Sequence, residues 1–126
     1  MITIVIVDDQ PAIRAGLRIR LSVETDLQII GAAQDGRKAL DVVSRLRPDI
    51  VLIDLEMPVM DGLAATRELH SLAPDCRVIM STIHDDETNR KRAHEAGAAG
   101  FVSKHADDIV LLNTIRAVAN RSNDNT

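Results

Sequence analysis

The sequence predicts one α/β domain in which five short strands alternate with five helices and the strands form a parallel sheet. Three observations lead there. Apolar runs rich in Val and Ile alternate with amphipathic stretches along the whole chain. The runs are continuous, which suits strands buried on both faces. The 126 residues, 45% apolar and 27% charged, have the size and composition of a single globular unit with one sizeable core.

The first strand spans Ile2 to Val7. A helix follows over Pro11 to Val23: proline suits its first turn, and Ile13, Leu17 and Leu21 recur at helical spacing. Leu27 to Ala32 is the second strand, and the helix after it, Arg37 to Leu46, stops before Pro48. The third strand, Ile50 to Ile53, leads to a helix over Gly62 to Leu72 that ends ahead of Pro74. The fourth strand is Arg77 to Ser81, followed by a helix from Asp85 to Ala96 with Gly97 as its stop. Gly100 to Ser103 is the fifth strand, and Asp107 to Asn120 the last helix, with acidic residues ready to cap its start. The domain is assigned to residues 1–120; residues 121–126 are polar and read as a frayed tail or a linker stub.

Right-handed crossovers leave few ways to lay down five βα units. The expected arrangement is the flavodoxin-like strand order 2-1-3-4-5, a three-layer sandwich. It places the first and third strands side by side, at the point beyond the strand carboxyl ends where ligands bind.

Composition removes several function classes. The net charge is −4, and the basic cluster Arg90-Lys91-Arg92 reads as a solvated helix face, so no nucleic-acid footprint is expected on this chain. The N-terminus opens directly on an apolar strand without a signal-peptide pattern, and no run is long enough to span a membrane. Cys76 is alone, so no internal disulfide can form; a reducing cytoplasm is expected, with Cys76 a small buried hydrophobe. His70, His84, His94 and His105 lack metal-ligand spacing and are expected at the surface.

The strand ends carry the chemistry. The first ends in Asp8 and Asp9, the third in Asp54, the fourth in Ser81 and Thr82, the fifth in Lys104. In the expected order those four strands are neighbours. Three carboxylates within a few ångström repel by about 1–4 kcal/mol per pair. Lys104 offsets one charge and leaves −2, which a single Mg²⁺ would neutralise; hard oxygen donors suit that ion. A carboxylate can also act as the nucleophile that forms an aspartyl-phosphate. Each residue has a plainer reading taken alone: Asp9, ahead of Gln10-Pro11, suits helix capping equally well, and Ser and Thr are common in strands. One functional type at each of four adjacent strand ends is poorly explained by capping.

These residues resemble the receiver domain of bacterial response regulators, the CheY-like form of this fold, over essentially the whole chain. Asp54-Leu-Glu-Met-Pro-Val-Met-Asp-Gly62 resembles the family's phosphoacceptor loop, Val7-Asp8-Asp9 its acidic pair, and Ala96 to Lys104 the approach to its lysine. The resemblance implies that Asp54 is the phosphoacceptor and that a sensor histidine kinase is the partner. It implies Mg²⁺ on Asp9 and Asp54, on Asp8 directly or through water, and on the backbone carbonyl of Glu56. It also implies that Lys104 pairs with the phosphoryl group. Thr82, 22 residues before Lys104, takes the place of the switch hydroxyl, and Phe101 that of the switch aromatic, with core packing an equal alternative. Such a domain catalyses only its own loading and hydrolysis.

Three positions depart from the common pattern. His105 follows Lys104 in place of proline, which argues against a cis peptide. Ile83 follows Thr82 where many receivers carry a small residue, and its bulk is expected to narrow the approach to Asp54. The Glu56 side chain is expected to face the path of attacking water.

Thr25 to Gly36 and Arg47 to Leu52 resemble receivers attached to a LuxR/NarL-type helix-turn-helix output domain, so DNA regulation is expected only through a domain outside this chain. A stand-alone receiver, or a pseudo-receiver acting by protein contact, is the alternative. Helices one and five carry surplus apolar residues, Ile19, Val23, Val110 and Leu111, which read as a wide core face or as a docking or homodimer surface. A phosphohydrolase would need Asp-x-Asp after the first strand, and a nucleotide binder a glycine-rich loop there; Asp8-Asp9-Gln10-Pro11 fits neither.

Overall fold

The structure is a computed structural model that describes the backbone of residues 1–124 and the side chains of residues 1–121. In chain order the elements are β1 (Ile2–Val7), α1 (Pro11–Ser22), β2 (Leu27–Ala33), α2 (Gly36–Leu46), β3 (Ile50–Asp54), α3 (Gly62–Leu72), β4 (Arg77–Thr82), α4 (Glu87–Ala96), β5 (Gly100–Ser103) and α5 (Asp108–Asp124). The five strands form one parallel sheet in the order β2-β1-β3-β4-β5, as the sequence predicts. The last helix does not end at Asn120: its backbone continues through Asp124, so most of the expected tail is helical, and Asn125 and Thr126 lie outside the described residues.

The continuous apolar runs sort themselves by strand pleat, because successive side chains leave opposite faces. Val5, Val7, Val51, Ile53, Val78 and Met80 pack on one face with α2, α3 and α4 residues such as Val43, Leu69 and Ala93. Ile4, Ile6, Ile50, Leu52 and Ile79 pack on the other with Leu17 and Leu21 of α1 and Leu111, Ile115 and Val118 of α5. A fully buried leucine such as Leu69 is worth about 2–5 kcal/mol against alanine. Two cores gripping one sheet from both sides hold the strand ends rigid relative to one another.

Local chemistry sets the helix starts. Asp35, Asp61 and Asp86 cap α2, α3 and α4, each accepting a backbone N–H in the first turn at 2.8 Å. The fourth helix thus starts after Asp86 rather than at Asp85. Gly97, at φ 105°, ends α4 in the left-handed conformation that glycine adopts without a Cβ penalty. At α1 the cap position is Gln10 without a side-chain bond, so Asp9 does not serve as a helix cap.

Candidate functional site

The sheet brings Asp8, Asp9, Asp54 and Lys104 to one rim. One carboxylate oxygen from each of the three aspartates lies within 4.8 Å of the others. Lys104 Nζ stands 2.7 Å from Asp8 Oδ2 and 3.3 Å from Asp54 Oδ1. Three of these side chains are deeply sunk, with exposures of 15% for Lys104, 3% for Asp8 and 9% for Asp54, while Asp9 is only half-buried. Asp8 is further fixed by the N–H of Gln10 on its Oδ1 at 3.0 Å, and Arg14 Nη1 donates to its carbonyl at 2.6 Å. Beneath Asp54, Gly62 packs so closely that a Cβ there would overlap the Asp54 carbonyl oxygen. The Gly62 N–H donates to the Leu55 carbonyl at 2.9 Å and seats the loop after β3 on the strand.

The electrostatics follow from burial. Loss of solvent pushes the Asp54 carboxyl above its ordinary value, and the charge of Asp8 adds to the push against the counter-pull of Lys104. Burial draws the Lys104 ammonium down, but its hydrogen bond to Asp8 and the charges of Asp54 and Asp8 outweigh that, leaving it raised. One ammonium therefore faces three carboxylates. That donor set, hard oxygens with an unbalanced negative charge, fits a hard dication.

Thr82 is buried at the end of β4, and its Oγ1 accepts the N–H of His84 at 3.0 Å. Ser81, the other candidate hydroxyl, pairs with Asp54 in the ladder, and its carbonyl accepts the Leu55 N–H at 3.1 Å. The Glu56 N–H reaches Asp54 Oδ1 at 3.4 Å, while its side chain turns to His84, with Nε2 to Oε1 at 3.1 Å. His84 therefore stays at the surface as expected, yet it borders the loop that follows Asp54. Ile83 is 55% exposed. Phe101 belongs to a different neighbourhood, half-buried opposite Met80, with the Arg90 guanidinium over its ring at 4.8 Å.

Arg90 lies on a solvated face as expected, 52% exposed, but it also contacts Phe101 and forms an ion pair with Asp85, which charge patterning did not foresee. Arg14 and the Glu56–His84 contact were also missed. No sequence pattern marks them, since each joins a helix or loop to a strand end across a fold-dependent gap. Asp85 and Arg90 are five apart across a helix cap, a spacing that helical periodicity does not flag.

Residues 4–116 match the response regulator receiver domain family. The chain belongs to that family. Among curated relatives, this receiver domain is 35% identical to the transcriptional regulatory protein DegU of Brevibacillus brevis, over 94% of this chain and 50% of the relative. It is 36% identical to the response regulator GacA of Pseudomonas aeruginosa, over 94% of this chain and 55% of that one. The chain spans about half the length of these relatives. Among solved structures, a LuxR-family two-component response regulator from Aurantimonas sp. SI85-9A1 superposes with a TM-score of 0.91 at 31% identity, over 95% of this chain and 86% of that chain. A CheY-like receiver domain protein from Methanospirillum hungatei, 24% identical, shares the fold at a TM-score of 0.90, over 100% of this chain and 99% of that one. No helix among the described residues is long and apolar enough to cross a membrane.

Proposed function

We propose that this receiver domain accepts a phosphoryl group on Asp54, in a Mg²⁺-dependent reaction, from a sensor histidine kinase or a small donor such as acetyl phosphate. The observation that carries the proposal is Lys104 held between Asp8 and Asp54 beside the more open Asp9. Asp8, Asp9, Asp54 and the Glu56 carbonyl would hold the ion. When bound, it supplies positive charge to the phosphoryl oxygens.

An Asp54 carboxylate oxygen forms the new bond to phosphorus. The bond from phosphorus to the donor imidazole nitrogen, or to the acetate oxygen, breaks with its electron pair leaving on the donor. Loading turns Asp54 from a carboxylate into an acyl phosphate. Lys104, already 3.3 Å from Asp54 Oδ1, is placed to follow the negative charge onto the phosphoryl oxygens. The Thr82 hydroxyl accepts from His84 and so keeps its own proton to donate, which suits a switch that turns toward a phosphoryl oxygen. Water later attacks phosphorus, the bond from phosphorus to the Asp54 oxygen breaks with its electron pair kept on that oxygen, and inorganic phosphate leaves, returning Asp54 to a carboxylate.

The output is transcription, through a DNA-binding domain outside this chain; the support is the naming of the relatives as transcriptional regulators and the half-length match. Residues 121–126 are a polar tail or the start of a linker, and the protein works in the cytoplasm. The face carrying Ile19, Val23, Ile109 and Val110, all exposed, is the homodimer or docking surface; Leu111 is buried and belongs to the core.

Intact mass spectrometry after incubation with acetyl phosphate tests the assignment. One added phosphoryl group is expected with Mg²⁺, none without it, and none in Asp54→Asn. If a histidine kinase donor also leaves the protein unmodified, the domain is a pseudo-receiver that acts by contact alone.

A further inference from the structure

Phe101 is the only aromatic residue of the three large types in the chain. Its ring lies under the Arg90 guanidinium, whose carbon is 4.8 Å from the ring centroid, inside the range of a cation–π contact. The same guanidinium is forked onto Asp85, with Nε to Oδ1 at 2.7 Å and Nη2 to Oδ2 at 3.0 Å. An arginine side chain that is 52% exposed would ordinarily sample many rotamers. Here the fork fixes the plane and the ring fixes the position.

Asp85 sits three residues beyond Thr82 on the loop that joins β4 to α4. That loop is tied at other points as well. Asn89 Nδ2 donates to the His84 carbonyl at 3.0 Å, and Asp86 caps the helix through the Asn89 N–H at 2.8 Å. Thr82 takes the His84 N–H at 3.0 Å. The loop and the first turn of α4 are thus tied to Thr82, and Arg90 carries a side-chain link from them to the ring of Phe101 on β5, beside the direct backbone bond from the Lys104 N–H to the Thr82 carbonyl at 2.8 Å.

We propose that Arg90 is a positioning residue for the switch: clamped by Asp85, it holds Phe101 in the unphosphorylated arrangement and releases the ring when Thr82 moves. The proposal rests on the reading of Asp54 as phosphoacceptor. A contact kept equally in both states would shift nothing, so it requires that the Arg90–Phe101 contact be lost on switching. Movement of Thr82 draws the loop with it. Asp85 then carries the guanidinium off the ring face.

The composition supplies a clean probe. With one phenylalanine in the sequence, biosynthetic 4-fluorophenylalanine gives a single ¹⁹F resonance that reports on residue 101. In the unsubstituted protein, Mg²⁺ with beryllofluoride as phosphoryl mimic is expected to move that resonance. In Arg90→Ala, without the mimic, the resonance is expected part-way toward the mimic-bound position. Loading by acetyl phosphate should then run about three- to tenfold faster, the size of a lost cation–π contact. Arg90→Lys keeps the charge but loses the fork, and should fall between the two.

An Arg90→Ala resonance that stays at the unsubstituted position, or a loading rate within about twofold of it, overturns the proposal. So does a resonance that never responds to the mimic in a protein whose Asp54 loads normally; the phosphoacceptor reading then stands without it. A protein that never loads Asp54 removes both.

Discussion

Two clusters in this molecule are built from the same parts, one cation between two carboxylates. At the rim, Lys104 joins Asp8 at 2.7 Å and Asp54 at 3.3 Å. On α5, Arg116 joins Glu24 at 2.8 Å and grips both oxygens of Asp26 at 2.8 Å each. The surface cluster has the better geometry, a bidentate fork with an extra partner. Yet its members are open to water, Arg116 at 35% and Asp26 at 47%, whereas the rim cluster is sunk between strand ends. Solvent screens the first, so its geometry contributes less than the same contacts would in a dry site. Burial leaves the second costly and incomplete, with Asp9 adding a third carboxylate to one ammonium. The difference is one of poise: the proposed site is the cluster whose charge is unbalanced and shielded from water, while the better-formed one is wet.

The largest expected effect comes from removing the buried cation. Lys104→Met strands Asp8 and Asp54 without a counter-charge, and should lower stability by about 3–5 kcal/mol in urea unfolding. Added Mg²⁺ should restore part of the loss, since the dication supplies the missing charge. Because the Lys104 ammonium is raised in the folded state, its contribution is fully present at neutral pH. It is lost only as pH climbs past the ordinary lysine value and through the raised one. A variant as stable as the parent at neutral pH would break the comparison outright.

Asp54→Asn should shift stability in the opposite direction. Burial and Asp8 push the Asp54 carboxyl up, the reverse of a carboxylate that folding favours. The folded state then binds that proton more tightly than the unfolded chain does. The contribution of Asp54 to stability is therefore most favourable at pH values below the unfolded value of about 3.9, falls as pH rises from there through the raised folded value, and carries its full penalty at pH 7. Asparagine does not titrate, so the variant should be about 1–2 kcal/mol more stable at neutral pH, with the gain vanishing toward acid. Paired unfolding curves of the two proteins across pH sharpen the comparison, because their difference isolates this one group.

Both of these residues were legible in the sequence, and the reason is topological. A continuous Val/Ile run ends at a defined residue, and a parallel sheet lines such ends up in a known order, so Asp8, Asp9, Asp54 and Lys104 had to converge. Helix bounds failed where local signals were weak: Asp85 and Asp86 are equally good caps on paper, and only the structure shows Asp86 taking the Asn89 N–H. The polar segment after Asn120 carries no stop signal of the Gly or Pro kind, and α5 continues through it to Asp124. Arg90 was hidden for another reason. Its partners, Asp85 and Phe101, lie on separate elements, so charge patterning along α4 alone reads it as solvated. Side chains that link elements depend on how helices sit on the sheet, which no periodicity encodes.

The smallest effect belongs to Arg116, and it is the sharpest check on the principle. Its guanidinium is raised by hydrogen bonds to Asp26 and Glu24, and the same contact to Arg116 holds the Asp26 carboxyl below its ordinary value. On geometry alone, Arg116→Ala would rank beside Lys104→Met. Exposure reverses that ranking, because water and salt stand in for each lost partner. The expected outcome is a small drop in melting temperature at low ionic strength that disappears in molar salt, where the Debye length shrinks to about 3 Å. Lys104→Met should keep nearly all of its deficit in the same buffer, because its partners are out of reach of the screening ions. If the two deficits instead fade together as salt rises, burial is not what separates the clusters, and the unbalanced rim loses its claim to be the chemically poised one.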